Sequence, residues 1–447
     1  MGDRGGIIGR SNREGRSTVK RKGVLVVGLV AVMALLLGAC GDDNKPSAGG
    51  TQSPAGCRTY TKASALSLKR PRIAMAGVIN ALRPQSKPTV KIGFIGDLTG
   101  KNSSLVVASR DALVLAVEQA NAKGDLPVKV ETVILDNKDA NEGPAAQLAQ
   151  QLINDKEVVA VMGPAFSGET SVATPLFCRA GIVNVTQSAT RVDLTKQGWQ
   201  TFFRSVGGDL DQAQAAAKLM IGRGYKKIAL VNDKSPYGEG LAQGIGVELK
   251  KDSSVQVVLE EGVAPTTNYT SLVDSLLAKQ PDAVYYGGYV AEAPLVLKQM
   301  RNKGLKAAFL SGDGSKEDKF ITTAGASIAN GVEFTCACLD PAVSTEADAK
   351  KFSADFIAKF GHKAGIYGAE GWDVTQMFLS AFKAGKTSRA DVLKYITDLK
   401  DYKGLTKTFN WTTDSSALHE VTDKGVNIYK IEGGKIVLLG NINEVIK

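Results

Sequence analysis

From Val90 onward the chain repeats one unit: a short aliphatic run, then a longer stretch carrying a helical stripe. VKIGFIGDL precedes RDALVLAVEQANAKG, VKVETVILD precedes EGPAAQLAQQLIND, and VVAVMGP precedes ETSVATPLFCRAG, with IVNVTQ and FFRSV following. A second series runs from KIALVND and GLAQGIGVELKK through VQVVLEEGV, TSLVDSLLAK, DAVYYGG and APLVLKQMRNKG to AAFLSGDG. Parallel strands need a crossover between them, and a helix usually supplies it. The alternation therefore predicts parallel sheets flanked by helices. The strands are Val/Ile-rich rather than alternating, as required when helices cover both faces. Two series predict two Rossmann-like α/β lobes, with the break in the polar turn of SVGGDLDQ near Gly207 and Gly208. Beyond Gly331 come VEFTCACL, helices around 348–360, 367–384 and 389–399, and the runs FNW, VNIYKI and KIVLLG. This tail is expected to return and complete both lobes.

The chain has 447 residues and a formal charge of +10, which raises the question of an anionic partner. The charge is not in the repeating body. Residues 1–39 carry seven Lys/Arg against two acids, +5, and residues 40–89 carry eight against two, +6. The remainder, 90–447, is therefore −1, which argues against a nucleic-acid footprint there. The basic N-terminus precedes the apolar run VLVVGLVAVMALLLGA at 24–39. A positive segment followed by an apolar run of this length is the pattern of an export signal. The competing reading, a permanent membrane span, prefers about 20 residues. The run ends in Leu37-Gly38-Ala39-Cys40, which resembles a bacterial lipobox, with the Cys40 thiol as acyl acceptor. We expect a lipoprotein signal over 1–39, lipidation of Cys40 and a flexible tether over 40–89. GDDNKPSAGGTQSPAG is rich in Gly, Ser and Pro, and RIAMAGVINALR is a possible short helix within the tether. A flexible chain of this length has a reach of ~40 Å.

Apart from Cys40, the cysteines are Cys57, Cys178, Cys336 and Cys338. Export permits disulfides, and four cysteines allow three full pairings. Cys336-Ala-Cys338 lacks the spacing of a zinc site, and with only His362 and His419 in the chain no metal or other cofactor is expected.

Ligands of open α/β sheets bind beyond the carboxyl ends of the strands. VMGPAFSGET leaves its strand through Gly163-Pro164 and starts a helix near Gly168. Ser167 is placed to cap that helix or, with the exposed N–H groups, to hold an anion such as a carboxylate. VTQSATRVDL leaves through Ser188-Ala189-Thr190, whose small side chains leave the backbone accessible. LSGDGS presents Asp313 between glycines, either a turn or a partner for an ammonium group. NDKSPYGEG offers Tyr237 before a helix, and DAVYYGGY offers Tyr289 after Gly287 and Gly288, which leave room for close approach at the strand exit.

Enzyme signatures are thin. There is no G-x-x-x-x-G-K-[ST], and GEGLAQG at 238–244 does not keep the G-x-G-x-x-G spacing. There is no G-x-S-x-G elbow. Neither histidine lies at a strand exit, so no nucleophile–base–orienter set can be assembled.

Taken together, the lipobox signal, VKIGFIGDLTG, MGPAFSGETSVATPLF, DLTKQGWQTFFR, DKSPYGEGLA and DAVYYGGY resemble the branched-chain amino-acid (leucine/isoleucine/valine) substrate-binding proteins of ABC transporters. The resemblance covers essentially 90–447 and implies the type I periplasmic-binding-protein fold, two lobes joined by a hinge of three crossings. By similarity the first lobe comprises 90–207 with 333–404, and the second 208–332 with 405–447. The family's carboxylate-binding serine falls on Ser167. Its Ala-Ala-Thr loop becomes Ser188-Ala189-Thr190, and its cleft tyrosines match Tyr237 and Tyr289. Its acidic partner of the α-ammonium falls on Asp313, one methylene shorter than the family's glutamate. Phe166 and Tyr367 would line the side-chain pocket, with Ala165, Leu105 and Trp372 possible. The enteric disulfide has no counterpart in LDNKDANEG, Leu105 stands where a tyrosine lines the enteric pocket, and Phe166 stands where a smaller residue sits.

The resemblance implies a monomeric, lipid-anchored capture protein on the outer face of the cell membrane. It would bind a branched-chain or other aliphatic amino acid between its lobes and deliver it to an ABC permease. Two alternatives remain at this stage: a receptor module of the same fold sensing an amino acid or amide, and a secreted α/β enzyme.

Overall fold

The structure, a computed structural model, describes residues 86–141, 143–342, 344 and 346–447, and all of them fall in one compact unit. The signal, Cys40, Cys57 and the tether up to residue 85 lie outside the described residues. No helix among the described residues is long and apolar enough to cross a membrane.

The first series runs β1 (Thr89–Gly96), α1 (Val107–Lys123), β2 (Lys129–Asp136), α2 (Ala145–Asn154), β3 (Val158–Met162), α3 (Ser167–Ala180), β4 (Val183–Thr186) and β5 (Phe202–Arg204). Its strands form a parallel sheet in the order β2-β1-β3-β4-β5. β3, VVAVM, is buried at every position, whereas β2 at the sheet edge is mostly half-exposed. Helices on both faces explain the first, and the missing neighbour explains the second.

The second series runs α4 (Asp209–Gly222), β6 (Lys227–Asn232), α5 (Pro236–Leu249), β7 (Gln256–Gly262), α6 (Thr270–Lys279), β8 (Ala283–Gly287), α7 (Ala293–Asn302), β9 (Ala308–Ser311), α8 (Asp318–Ala324), α9 (Ala326–Ala329) and β10 (Glu333–Cys336). The tail adds α10 (Ala347–Phe360), α11 (Gly368–Lys383), α12 (Arg389–Thr397), β11 (Tyr402–Lys403), β12 (Thr408–Phe409), β13 (Asn427–Glu432), β14 (Lys435–Asn441) and α13 (Ile442–Val445). The second sheet has the order β14-β13-β10-β9-β8-β6-β7. The block β7-β6-β8-β9-β10 is parallel and repeats the strand order of the first sheet, while β13 and β14 extend it antiparallel. Helices form where turn chemistry permits: Ser235 accepts the Gly238 N–H at 2.9 Å and Pro236 opens α5.

The boundary expected at residue 333 is corrected by the strand pairing. Glu333 to Cys336 pair with β9 and β13, so they belong to the second sheet. VEFTCACL holds a strand first and a crossing second. Arg223 binds the Glu333 carboxylate at 2.6 Å, which allows an acid at the buried start of β10.

Three chain segments cross between the lobes: the link from β5 to α4, the link from β10 to α10, and the stretch between α12 and β13. They touch at Gly207, where a Cβ would stand 3.3 Å from the Ala337 Cβ and 3.3 Å from the Lys424 carbonyl oxygen. A side chain there would make the other two crossings give by a few tenths of an ångström. A buried ion pair, Arg204 to Glu420, ties the first crossing to the third, and Lys424 joins the same carboxylate. Burial alone would raise Glu420; the two cations outweigh it and hold the carboxyl below its ordinary range. Cys336 and Cys338 are joined by a disulfide at the second crossing, which narrows the three possible pairings.

Candidate functional site

Both sheets have the 2-1-3-4-5 order, whose switch points lie between β1 and β3 in the first and between β6 and β8 in the second. The crevices beyond those strand ends are where ligands of this architecture bind. A cavity of about 20 Å3 lies there, lined by Leu105, Ala165, Phe166, Ser167 and Ser188 from the first series and Tyr237, Tyr289, Asp313 and Gly314 from the second, with Val106 and Tyr367 closing it. Of the residues expected at the cleft, Phe166, Ser167, Ser188, Tyr237, Tyr289, Asp313 and Tyr367 are brought to this one place, while Ala189 and Thr190 do not line it. Trp372 is elsewhere: it packs on Phe352 at 5.1 Å and lines a separate groove.

The first-lobe wall is a set of committed backbones with a few open hydroxyls. Ser167 is the first residue of α3 rather than its cap: Phe166 holds the cap position, and the Glu169 side chain reaches back to accept the Phe166 N–H at 3.1 Å. The Ser167 hydroxyl accepts the Arg191 N–H at 3.3 Å and keeps its own proton to donate. Burial pushes the Glu169 carboxyl well above its ordinary range, which weakens its opposition to an anion at the helix start. In the loop after β4, the Ser188 hydroxyl donates to the Ala165 carbonyl at 2.7 Å and the Ala189 N–H to the Thr186 hydroxyl at 2.9 Å. The Thr190 carbonyl accepts from the Asp209 N–H and from Arg204, at 2.8 and 3.0 Å. The Thr190 hydroxyl itself is buried and makes no well-formed hydrogen bond.

The second-lobe wall holds acids and phenols. Asp313 accepts from the Tyr237 hydroxyl at 2.6 Å, from the Gln212 amide at 2.8 Å and, across the cleft, from the Tyr367 hydroxyl of the first lobe. Burial raises Asp313 above its ordinary value, and these donors oppose the rise. Tyr367 takes up this position with φ at 60°, a left-handed conformation unusual for a bulky residue. The Tyr237 and Tyr289 rings stack at 5.2 Å, and the edge of Phe166 from the other lobe meets Tyr289 at 5.2 Å.

One residue of this wall escaped the sequence reading. Asp209, the first residue of α4, is 1% exposed, and neither of its carboxyl oxygens makes a well-formed hydrogen bond, although the Thr190 hydroxyl lies close enough to favour the ionised form. Burial first and the Asp313 carboxylate second push it up to about 8. A buried polar group without a partner is costly, so the arrangement suits a cationic donor. GGDLDQ looks like a break between lobes. It is also a strand exit, since Asp209 follows β5 directly, and that signal was available. Gly287 and Gly288 serve another purpose than the expected one. A Cβ on Gly287 would meet the Gly238 carbonyl at 2.4 Å, and one on Gly288 would meet Asp233 at 2.7 Å. The glycines admit the first turn of α5 rather than a ligand.

A family model described as periplasmic binding protein matches residues 89–435, and the chain belongs to that family. Its fold is the type I periplasmic-binding-protein fold, and it stands with the branched-chain amino-acid substrate-binding proteins of ABC transporters. The Leu/Ile/Val-binding protein BraC3 of Rhizobium johnstonii is 28% identical over 361 residues, covering 80% of this chain and 95% of its own. The leucine-, isoleucine-, valine-, threonine-, and alanine-binding protein of Pseudomonas aeruginosa is 29% identical over 364 residues, covering 77% of this chain and 94% of its own. The branched-chain amino acid transporter substrate binding protein LivJ of Streptococcus pneumoniae, solved with isoleucine, superposes with a TM-score of 0.70 at 26% identity, covering 79% of this chain and 99% of its own. These relatives are binding proteins, consistent with the expectation that the chain is not an enzyme.

Proposed function

We propose that the chain captures an aliphatic amino acid between its lobes and delivers it to an ABC permease, held at the outer face of the membrane by a lipid on Cys40. The observation that carries the reading is one cavity lined by Ser167 and Ser188 of the first lobe and by the Asp313 carboxylate of the second, with the buried Asp209 carboxyl close to Asp313. A zwitterion satisfies both walls. Its carboxylate takes the Ser167 hydroxyl and the N–H groups at the start of α3, with Thr190 nearby. Its ammonium takes the acidic pair of Asp313, at the cavity wall, and Asp209. The two sets come from different lobes, so one ligand touches both only when the lobes are closed, and its differential contacts drive closure. Hydrogen bonds to charged groups contribute ~1.5–3 kcal/mol each. Four or five of them, less the cost of lost freedom, support micromolar binding, which needs ~8 kcal/mol.

A thermal-shift screen of the purified chain against the proteinogenic amino acids tests the capture. Ligand at 100 times its Kd should add ~2.7 kcal/mol of stability. No shift with any amino acid would sink the reading. Cys40→Ser tests the anchor: the protein should leave the membrane fraction, and unchanged membrane association would remove lipidation from the account.

A further inference from the structure

We infer that Phe166 makes the cleft a size filter, selecting small aliphatic amino acids such as alanine over leucine and isoleucine. The inference rests on the reading that the cleft takes an amino acid, and it concerns only the side chain.

The cavity carries polar groups, Ser167, Ser188 and Asp313, and an apolar lining of Leu105, Val106, Ala165 and the Phe166 ring. A ligand side chain belongs against the apolar lining by its chemistry. The space is small: the whole cavity measures about 20 Å3, little more than one water requires. Any ligand must part the lobes somewhat, and the question is which contact it breaks.

The Phe166 edge meets the Tyr289 ring across the cleft at 5.2 Å, and both residues are 5% exposed. The Phe166 backbone and the Tyr289 ring are both held in place. The Phe166 N–H is bound to Glu169 at 3.1 Å, and its carbonyl accepts from the Thr170 N–H and hydroxyl at 2.9 and 2.8 Å. Tyr289 stacks on Tyr237, which is itself held by Asp313 at 2.6 Å and by the Gly314 N–H at 3.1 Å. A methyl side chain can lie beside the pair and leave it closed. A branched side chain of three or four carbons must take the place of one ring and hold the lobes apart, losing the interlobe contact that stabilises closure.

The test is isothermal titration of the purified full chain with alanine, valine and leucine, repeated on Phe166→Ala and Phe166→Leu. One methylene in an apolar pocket changes selectivity by about 10–200-fold. The native protein should bind alanine at least about tenfold more tightly than leucine. Phe166→Ala should shift the ratio toward leucine by at least about tenfold, and Phe166→Leu in the same direction by less. If Phe166→Ala does not fold, Phe166→Leu alone decides the sign. Leucine equal to or tighter than alanine in the native protein overturns the filter and leaves the proposed function standing. Equal effects of the substitutions on alanine and leucine also overturn it. No response to any amino acid overturns the proposed function itself.

Discussion

The two walls of the cleft are built by opposite strategies. On the first lobe the loops after β3 and β4 spend most of their polar groups on one another and keep the Ser167 proton free to donate. On the second lobe two carboxyl groups are buried close together, Asp313 saturated with donors, Tyr367 of the first lobe among them, and Asp209 with only the Thr190 hydroxyl near it. The first wall is rigid in the empty protein and offers donors. The second holds an electrostatic cost that a cation relieves. Affinity should therefore depend most on the second wall, and geometry most on the first.

The largest expected effect separates the two carboxylates. Asp209→Asn should weaken amino-acid binding by roughly a hundredfold, the upper range for one charge-assisted contact. It should not destabilise the empty protein at neutral pH, because a carboxyl group that is already mostly protonated is replaced by a neutral amide. Asp313→Ala should do the reverse to the fold, costing ~2 kcal/mol or more in urea unfolding without ligand, since it strands the Tyr237, Tyr367 and Gln212 donors. Titration calorimetry and denaturation on both variants check this. If Asp209→Asn bound normally and Asp313→Ala did not, the ammonium partner would be Asp313, as the family resemblance alone implies.

That reversal shows where the sequence was legible. Alternating aliphatic runs and striped segments marked the strands and helices, because parallel sheets covered on both faces demand that pattern. Residues just after strands, Ser167, Tyr237, Tyr289 and Asp313, converge on one cavity because strand exits all point to one edge of each sheet. The status of each group was not legible, since it depends on contacts distant in sequence. Asp313 is engaged by Gln212 at a separation of 101 residues and by Tyr237 at 76. Asp209 was hidden because its turn also serves as a crossing, and Gly287 because its neighbour Gly238 comes from another element. β10 was placed with the wrong lobe because four residues of strand run without a break into the crossing.

On the first wall a smaller loss is expected. Ser167→Ala removes one hydroxyl but keeps the N–H groups at the start of α3, so affinity should fall about tenfold with little change in stability. Binding of the corresponding amine, which lacks the carboxylate, should be insensitive to this substitution. A loss of the same size for acid and amine would show that Ser167 shapes the wall rather than meeting the carboxylate.

The smallest effect is the most specific to the difference between the walls. Asp209 sits at about 8 when folded, against an ordinary 3.8. The empty folded protein thus holds this proton more tightly than the unfolded chain. Its contribution to stability is full below about pH 4 and is lost progressively as pH climbs toward 8. An ammonium ligand favours the ionised form, so binding releases a proton at neutral pH, and affinity should rise about fivefold between pH 7 and pH 8 as the ionised fraction grows. Titrations in two buffers of different ionisation heat would register the released proton. Asp209→Asn should abolish both the release and the slope; a slope that survives the substitution would move the titrating group away from Asp209.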